Sequence, residues 1–341
     1  MDLGVNFDLT VIWAFLIAFA VFAYVVLDGF DLGLGMLFAV APDRRDRDVM
    51  MNSVAPVWDG NETWLVMGGG GLFAAFPLAY GLIMPALYAP IIAMLLALIF
   101  RGVAFEFRWR TERWRGVWDL AFIGGSSLAS FAQGVALGAL LQGISVDIVA
   151  RQYDGGWFDW LSPFSITTGF AVMAGYCLLG ATWLVMKTEG DLQDRMRKLA
   201  WIFGVVTVIF IGVVSIWTPF LQDGYYNRWF VGWRIGLAGV VAAAVLTVAW
   251  MMFHSLNVHK HEYRPFLQAI VLFGLCFVGL GICMWPYIVP VEVTIWDAAS
   301  PEKSQIFMLV GASVLIPLIL AYTAYAYWTF RGKIDPNEGY H

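Results

Sequence analysis

Two pairs of carboxylates stand in stretches of sequence that contain almost no other charge. Asp28 and Asp31 lie in LDGFDLGLG, and Asp59 and Glu62 lie in WDGNETW. The i, i+3 spacing of each pair places both side chains on one face of a helix. If these helices cross a membrane, each carboxylate near the bilayer centre costs roughly 2.5–3.5 kcal/mol, and such groups commonly form proton relays. The residues therefore predict a proton-conducting or charge-relay site, with Arg101 as its counter-ion.

A purely structural interpretation of these residues is equally open. Buried ion pairs can fix the register of a helix bundle without moving a proton. Asp59 and Asn61 could also hydrogen-bond the backbone groups that Pro56 leaves without partners. Glu106 follows Arg101 in FRGVAFEFR, and we expect these two charges near the same end of the bundle.

Two tryptophans flank the second carboxylate pair. Trp58 and Trp64 lie in the same segment as Asp59 and Glu62. They could line an apolar passage for a small molecule, but large aromatic side chains inside a bundle more often pack against their neighbours. We favour packing for both.

The histidines argue against a redox metal in this chain. There are four, at positions 254, 259, 261 and 341, and none lies in the middle of an apolar segment. Haem b usually needs two axial imidazoles, and copper sites need several. His254, His259 and His261 could bind a metal, but they surround Lys260 between two apolar segments, which is typical of a solvated loop. We predict that this chain ligates no metal.

The composition places these residues in a membrane. Of the 341 residues, 60% are hydrophobic and 13% are charged, about half of the ~25% charged residues of a soluble domain. These proportions exclude a soluble enzyme and a disordered protein. The net charge of −5 does not suggest a nucleic-acid partner, which needs a basic surface. We predict an all-α fold, a polytopic membrane helix bundle that forms a single domain over residues 1–341.

Uncharged runs predict about nine transmembrane helices. As one helix, the run 63–100 would measure ~57 Å, far more than a hydrocarbon core of ~30 Å. It contains four successive glycines and then FPLAYG, so we predict two helices with a turn near 77–80. The predicted spans are roughly 9–40, 53–75, 80–105, 117–142, 163–186, 199–218, 230–253, 266–288 and 305–330.

The distribution of Lys and Arg predicts the orientation. Alternate sides of the nine predicted spans carry 16 and 4 of the 20 positive charges. The positive-inside rule then places the N-terminus outside and the C-terminus in the cytoplasm. The first ten residues contain no Lys or Arg, so we expect no cleaved signal peptide.

Several motifs, in order over nearly the whole chain, resemble subunit II of the cytochrome bd-type quinol oxidases. The most specific are DGFD and WDGN. The similar segments are LDGFDLGLGML (27–37), NSVAPVWDGNETWLV (52–66), LFAAFP (72–77), FRGVAFEFR (100–108), RWRGVWD (113–119), QGVALGALLQG (133–143), TIWDAAS (294–300) and LIPLILAYTAYAYW (315–328). The short loops and the GNET form resemble the cyanide-insensitive branch.

This resemblance implies a respiratory terminal oxidase in the bacterial cytoplasmic (inner) membrane. The family's complex oxidises quinol and reduces dioxygen to water, with protons taken from the cytoplasm. Its subunit I holds the haems b and d and the quinol site, whereas subunit II ligates no haem. The implied partner is therefore subunit I in a heterodimer. A small accessory subunit, and a structural quinone or lipid bound to this chain, are compatible with the resemblance.

The resemblance also implies roles for the residues above. Asp59 of WDGN is the candidate for proton entry, and Trp64, with Trp58 beside it, is a candidate for oxygen access. Glu62 joins the proton pathway, although its position is not always acidic in the family. The other charges implied in the proton pathway or its support are Asp28, Asp31, Arg101 and Glu106.

A proton-coupled secondary transporter is the main alternative function. Such a protein would place its coupling carboxylates near the bilayer midplane, between pseudo-symmetric halves. Here the carboxylates crowd one side of the first three predicted spans, and the other six spans contain almost no charge. This asymmetry favours a surface shared with another protein. A purely structural scaffold is the third interpretation.

Overall fold

The computed structural model describes residues 8–147, 149–232, 234–258 and 260–335. The helices in these ranges are α1 (Leu9–Leu37), α2 (Arg44–Asn52), α3 (Trp58–Ala75), α4 (Pro77–Ala86), α5 (Tyr88–Arg110), α6 (Arg115–Gln142), α7 (Pro163–Lys187), α8 (Gly190–Trp217), α9 (Asp223–Phe230), α10 (Arg234–Asn257), α11 (Arg264–Met284), α12 (Ile295–Ala298) and α13 (Glu302–Thr329). The strands are β1 (Val146–Asp147), β2 (Gln152–Tyr153), β3 (Tyr287–Val289) and β4 (Val293–Thr294).

Within the described residues, eight helices are long and apolar enough to cross a membrane, namely α1, α5, α6, α7, α8, α10, α11 and α13. The remaining predicted span corresponds to α3, which has 18 residues and carries Asp59 and Glu62. Its two carboxylates lie in its first two turns. The prediction of a multi-pass helical membrane protein is thus confirmed, with eight apolar helices.

Two predicted spans differ from the structure around prolines. The span predicted at 53–75 begins only at Trp58, because the segment around Pro56 forms turns after α2. The span predicted at 80–105 is broken at Leu87, between α4 and α5. Pro90 lacks the N–H that would bond the carbonyl of residue 86, and this missing bond weakens the helix at this point. The turn predicted near 77–80 lies at Phe76, directly before Pro77.

Two short hairpins and one span boundary differ from the prediction, although the fold is mostly helical as predicted. Two short antiparallel hairpins are present, β1–β2 between α6 and α7, and β3–β4 after α11. Their strands have two or three residues, too few for a recognisable alternation in the sequence. The span predicted at 199–218 begins at Gly190, because residues 191–198, five of which are charged, continue the helix beyond its uncharged part.

The first helix is central to the bundle. α1 packs against α3, α6 and α7, and α5 packs against α6. Glycines allow the close approach of α1 and α7, since a Cβ on Gly33 would lie 1.7 Å from the carbonyl oxygen of Tyr176. A Cβ on Gly180 would likewise lie 2.5 Å from the backbone nitrogen of Leu34. Small residues at helix contacts are a common basis of packing in membranes.

The segment after α13 bonds to residues at the C-terminal end of α7 and just before the start of α11. Lys333 donates to the Thr188 carbonyl at 2.7 Å and pairs with Glu262, which also accepts from Gln193 at 2.6 Å. Partial burial alone would raise the pKa of Glu262, but the bonds from Lys333 and Gln193 outweigh it and hold that pKa below its ordinary value. Glu262 is therefore ionised at neutral pH, and the contact holds the C-terminal end of α13 in place.

Candidate functional site

The guanidinium of Arg101 lies at the centre of the predicted site. Its Nη1 lies 2.6 Å from Asp28 Oδ1 and 2.9 Å from Glu62 Oε1. Its Nη2 lies 3.6 Å from Asp31 Oδ2. These four residues, which α1, α3 and α5 contribute, are called the Arg101 cluster below.

Helix geometry explains why these side chains meet. Asp28 and Asp31 are three residues apart on α1, so both carboxylates face one side. α3 begins at Trp58, and Glu62 then lies in its second turn, directed at Arg101. α6 approaches α5 closely behind the cluster, because Gly125 has no side chain. A Cβ at that position would lie 2.6 Å from the Ala97 carbonyl oxygen and 3.0 Å from the Arg101 nitrogen.

The charges of the cluster do not balance. Asp28, Asp31 and Arg101 are fully buried, whereas the side chain of Glu62 is 26% exposed. One guanidinium faces three carboxylates, so ionisation of all three leaves two excess negative charges in a medium of low dielectric constant. Such an excess favours the binding of a proton. The cluster can therefore hold and release a proton.

Two residues absent from the predicted site hold Asp31. Asn61 Nδ2 donates to Asp31 Oδ2 at 2.7 Å and to the Leu27 carbonyl at 3.3 Å. The Tyr327 hydroxyl, from α13, donates to Asn61 Oδ1 at 2.8 Å. Asn61 thus bonds to α1 and not to the backbone near Pro56, because its place in the first turn of α3 faces α1.

A second line of polar side chains reaches Asp28. The Tyr176 hydroxyl, on α7, donates to Gln133 Oε1 at 2.7 Å. Gln133 Nε2, on α6, donates to the Tyr24 hydroxyl oxygen at 2.8 Å. The Tyr24 hydroxyl in turn lies beside the carboxylate of Asp28, within the range of an electrostatic interaction. This line is not predicted from the sequence, because the uncharged amides and phenols of the spans are a weaker signal than their ionisable residues.

The structure places two of the predicted charges outside the cluster. Asp59 is exposed on α3, one turn before Glu62. Glu106 is exposed on α5, where it pairs with Arg110 at 3.5 Å. Five residues separate Glu106 from Arg101, a rotation of about 140° around the helix. The two side chains of α5 therefore point in different directions.

The two predicted tryptophans are packed. Trp58 stacks on Phe105, with ring centroids 4.6 Å apart and planes 6° from parallel. Trp64 is buried and meets Phe19 edge to face, with centroids 5.5 Å apart. Both contacts have the geometry of favourable aromatic pairs.

A second ionic cluster lies two turns further along α5. Arg108 is buried, and its Nε and Nη1 lie 2.5 Å from Asp119 Oδ1 and 2.7 Å from Asp48 Oδ1. Arg47 adds a bond of 2.9 Å to Asp119 Oδ2. These contacts join α2, α5 and α6. Arg108 follows Arg101 by seven residues, a spacing that puts both on one face of a helix and could have revealed it.

Metal-binding side chains are not clustered in the described part of the chain. No group of three or more His, Cys, Asp and Glu residues there has an arrangement that could hold a metal ion. The rings of His254 and His261 contact Trp250 and Tyr263 instead. His259 and His341 lie outside the described residues, so the interpretation of the histidines stays a prediction.

Comparisons with known proteins point to one family. The family profile of cytochrome bd terminal oxidase subunit II matches residues 9–330. Cytochrome bd-I ubiquinol oxidase subunit 2 of Escherichia coli (strain K12) is 34% identical over 368 residues, which cover 96% of this chain and 95% of that protein. Cytochrome bd ubiquinol oxidase subunit 2 of Bacillus subtilis (strain 168) is 29% identical, with 96% and 97% covered.

A solved structure agrees on the fold. One chain of the bd oxidase from Geobacillus thermodenitrificans superposes with a TM-score of 0.78 at 17% identity, covering 95% of this chain and 99% of that chain. With the eight apolar helices, these relatives make the protein a multi-pass protein of the bacterial cytoplasmic membrane. They do not favour a secondary transporter. The match over nearly the whole length shows that the chain belongs to the cytochrome bd terminal oxidase subunit II family.

Proposed function

We propose that the chain is the haem-free subunit II of a heterodimeric quinol oxidase. Its partner, subunit I, binds haems b and d, oxidises quinol and reduces dioxygen to water. The names of the two relatives as ubiquinol oxidase subunits support this proposal. The donor set of this chain does not fit a haem, because no described histidine lies in the middle of a span. A small accessory subunit and a bound quinone or lipid belong to the same proposal.

The proposed complex has a direct spectroscopic test. Purification from membranes through a tag on this chain should yield a coloured complex whose reduced-minus-oxidised spectrum contains b- and d-type haem bands. After separation of the two subunits, the bands should remain with the partner. A colourless, monodisperse preparation of this chain alone would contradict the proposal.

For the membrane topology we propose nine spans, with α3 as the second. At 1.5 Å per residue its 18 residues measure about 27 Å, close to the thickness of a hydrocarbon core. The bias of Lys and Arg supports an N-terminus outside and a C-terminus in the cytoplasm. The whole chain then forms one transmembrane domain, with the Arg101 cluster in its cytoplasmic half.

The exposed carboxylate of Asp59 supports an interface at α3. Asp59 is exposed in the first turn of this span, and contact of a carboxylate with lipid is unfavourable. Glu62 opens toward the same surface. A partner subunit that covers this face, with water between the proteins, would remove the penalty. We therefore place subunit I against α3.

The proposed proton route runs along the same face of α3. Asp59 takes a proton from the cytoplasmic side and passes it through water to Glu62, which contacts Arg101. Asp28 and Asp31 support the route through their contacts with Arg101. Glu106 supports only the end of α5, through Arg110. Oxygen access along Trp58 and Trp64 stays a weaker proposal, because both side chains are packed against aromatic neighbours.

Substitution of Asp59 tests the route. The change Asp59→Asn should lower quinol oxidase turnover at least ~10-fold, because a positioned proton-transfer group commonly contributes 10²–10⁴-fold. The haem spectrum should be unchanged, since the exposed side chain does not hold the fold. Asp191→Asn, the same change at an exposed position at the start of α8, is the control and should leave turnover unaltered. Full turnover of assembled Asp59→Asn would support the scaffold interpretation instead.

A further inference from the structure

We propose that Glu62 is the member of the Arg101 cluster that binds and releases the proton, whereas Asp28 and Asp31 stay ionised. The inference rests on the proposed proton route and assigns its protonation site. It is carried by the direction of the hydrogen bonds around the three carboxylates. Asp28 and Asp31 each lie at the end of a line of hydrogen-bonding side chains, whereas Glu62 does not.

The line to Asp31 has only one possible direction. Asn61 faces the Leu27 carbonyl, which can only accept, and Asp31 Oδ2. Its amide must therefore turn the NH₂ group toward them and its oxygen toward Tyr327. The Tyr327 hydroxyl then donates to that oxygen. Asn61 thus donates to Asp31 Oδ2, and a bond of this direction is stronger to an ionised carboxylate than to a neutral carboxyl group, so the line favours the carboxylate.

The line to Asp28 runs in the same sense. Its last member is the Tyr24 hydroxyl, which lies beside the carboxylate and can donate to it. The oxygen of Tyr24 is then free to accept from Gln133, and the oxygen of Gln133 accepts from Tyr176. Each bond in such a chain polarises the next and strengthens the final bond to the anion. Arg101 donates to Asp28 Oδ1 at 2.6 Å, so this oxygen is held as an acceptor.

Glu62 has a different environment. Among the described residues, its one short contact is with Arg101 at 2.9 Å, and a quarter of its side chain is exposed. The charged groups that face it are Arg101 from α5, Asp28 and Asp31 from α1, and Asp59 from its own helix. With both buried aspartates ionised, Arg101 is already outweighed by one negative charge. An ionised Glu62 would add a second.

The proton transfer is then simple to write. An O–H bond breaks at the donor on the Asp59 side, and an O–H bond forms at the free carboxylate oxygen of Glu62. The charge of the cluster falls from two excess negative charges to one. On release, the O–H bond of Glu62 breaks, and the proton passes to water or another oxygen base at the same exposed face. Neither aspartate changes its protonation state. The line of polar side chains between Asp28 and Tyr176 therefore conducts no proton.

Infrared difference spectroscopy of the purified complex during a pH titration tests the assignment. A protonated carboxyl group has a C=O stretch that ionised carboxylates lack. The wild-type complex should show one such titrating signal from this cluster, and Glu62→Gln should remove it. Glu302→Gln, the same change at an exposed position on α13, is the control and should leave the signal in place. A signal that survives in Glu62→Gln overturns the assignment.

Two further sets of variants keep the proposal testable if Glu62→Gln does not assemble. Glu62→Asp retains a carboxyl group in an altered position, so the titrating signal should shift in frequency and midpoint. An identical signal would overturn the assignment. Tyr24→Phe and Tyr327→Phe each remove a hydroxyl from a donor line, so each should add a second titrating carboxyl signal. Unchanged spectra in both phenylalanine variants would overturn the positioning role of the lines.

Turnover separates this inference from the proton route on which it rests. Loss of the signal with full turnover in Glu62→Gln supports the assignment and contradicts the route. Loss of turnover with an unchanged signal supports the route and contradicts the assignment. A loss of both, at least ~10-fold in turnover, supports both.

Discussion

Replacement of Arg101 by leucine should prevent accumulation of the subunit in the membrane. The change leaves the carboxylates of Asp28 and Asp31 in a fully buried position without their counter-ion. Removal of one partner from a buried ion pair costs about 3–5 kcal/mol, a large part of the 5–15 kcal/mol that stabilises a typical folded protein. Immunoblots of membranes and the yield of haem-containing complex measure the effect.

Two matched variants define the cause of this loss. Arg110→Leu removes an arginine from the same helix, but its side chain is exposed, and we expect wild-type accumulation. The triple variant Arg101→Leu, Asp28→Asn, Asp31→Asn removes the uncompensated charges together with the guanidinium. It should recover part of the lost accumulation, because neutral amides are cheaper to bury than anions. Normal accumulation of Arg101→Leu alone would show that the aspartates are neutral without Arg101.

The meeting of Arg101 with the aspartates of α1 could be predicted from the sequence. Asp28 and Asp31 are one helical turn apart in an apolar segment, and an unpaired charge in such a segment is too unfavourable to remain isolated. Within the predicted spans, Arg101 is the positive charge that lies nearest to the side of the membrane where Asp28 and Asp31 are expected. Charge and helical period together were therefore sufficient for this part of the site.

The same pattern could not predict that Glu62 contacts Arg101 whereas Asp59 is exposed. Both share one face of α3, but the contact with Arg101 depends on the rotation of α3 about its own axis. That rotation is set by the packing of α3 against α1, and α3 begins only at Trp58, after the turns around Pro56. Span boundaries drawn from uncharged runs do not contain this information.

The hydrogen-bond donors of the site were beyond prediction for another reason. Tyr327 lies 266 residues from Asn61, and the two meet only because α13 packs against α3. Gln133 and Tyr176 come together through the packing of α6 on α7. Uncharged polar residues are a weaker signal than carboxylates, but an amide in an apolar span needs partners as well. Gln133 was the residue that could have pointed to this line.

The change Gly33→Ala should disrupt both the fold and the site. Its Cβ would lie 1.7 Å from the carbonyl oxygen of Tyr176, and a backbone atom of a packed helix cannot turn away as a side chain can. Ordinary overpacking costs about 1–3 kcal/mol, and we expect at least the upper end of this range here. α7 must move outward from α1 as a rigid helix, which draws the Tyr176 hydroxyl away from Gln133 and interrupts the line to Asp28.

Thermal unfolding of the purified complex measures the first effect of Gly33→Ala, and the infrared titration measures the second. Gly212→Ala provides the control, since a Cβ on Gly212 of α8 would meet no atom within 4 Å. In that helix the same substitution should be neutral or stabilise by up to ~1 kcal/mol. Equal stability of the two variants would mean that α1 and α7 are not in close contact at Gly33. The titration adds a finer distinction, because α7 contributes Tyr176 to the line that ends at Asp28 and contacts Tyr327, in the line to Asp31, through Trp183. A second titrating carboxyl group in Gly33→Ala would therefore show that helix packing, transmitted along the donor lines, keeps the buried aspartates ionised.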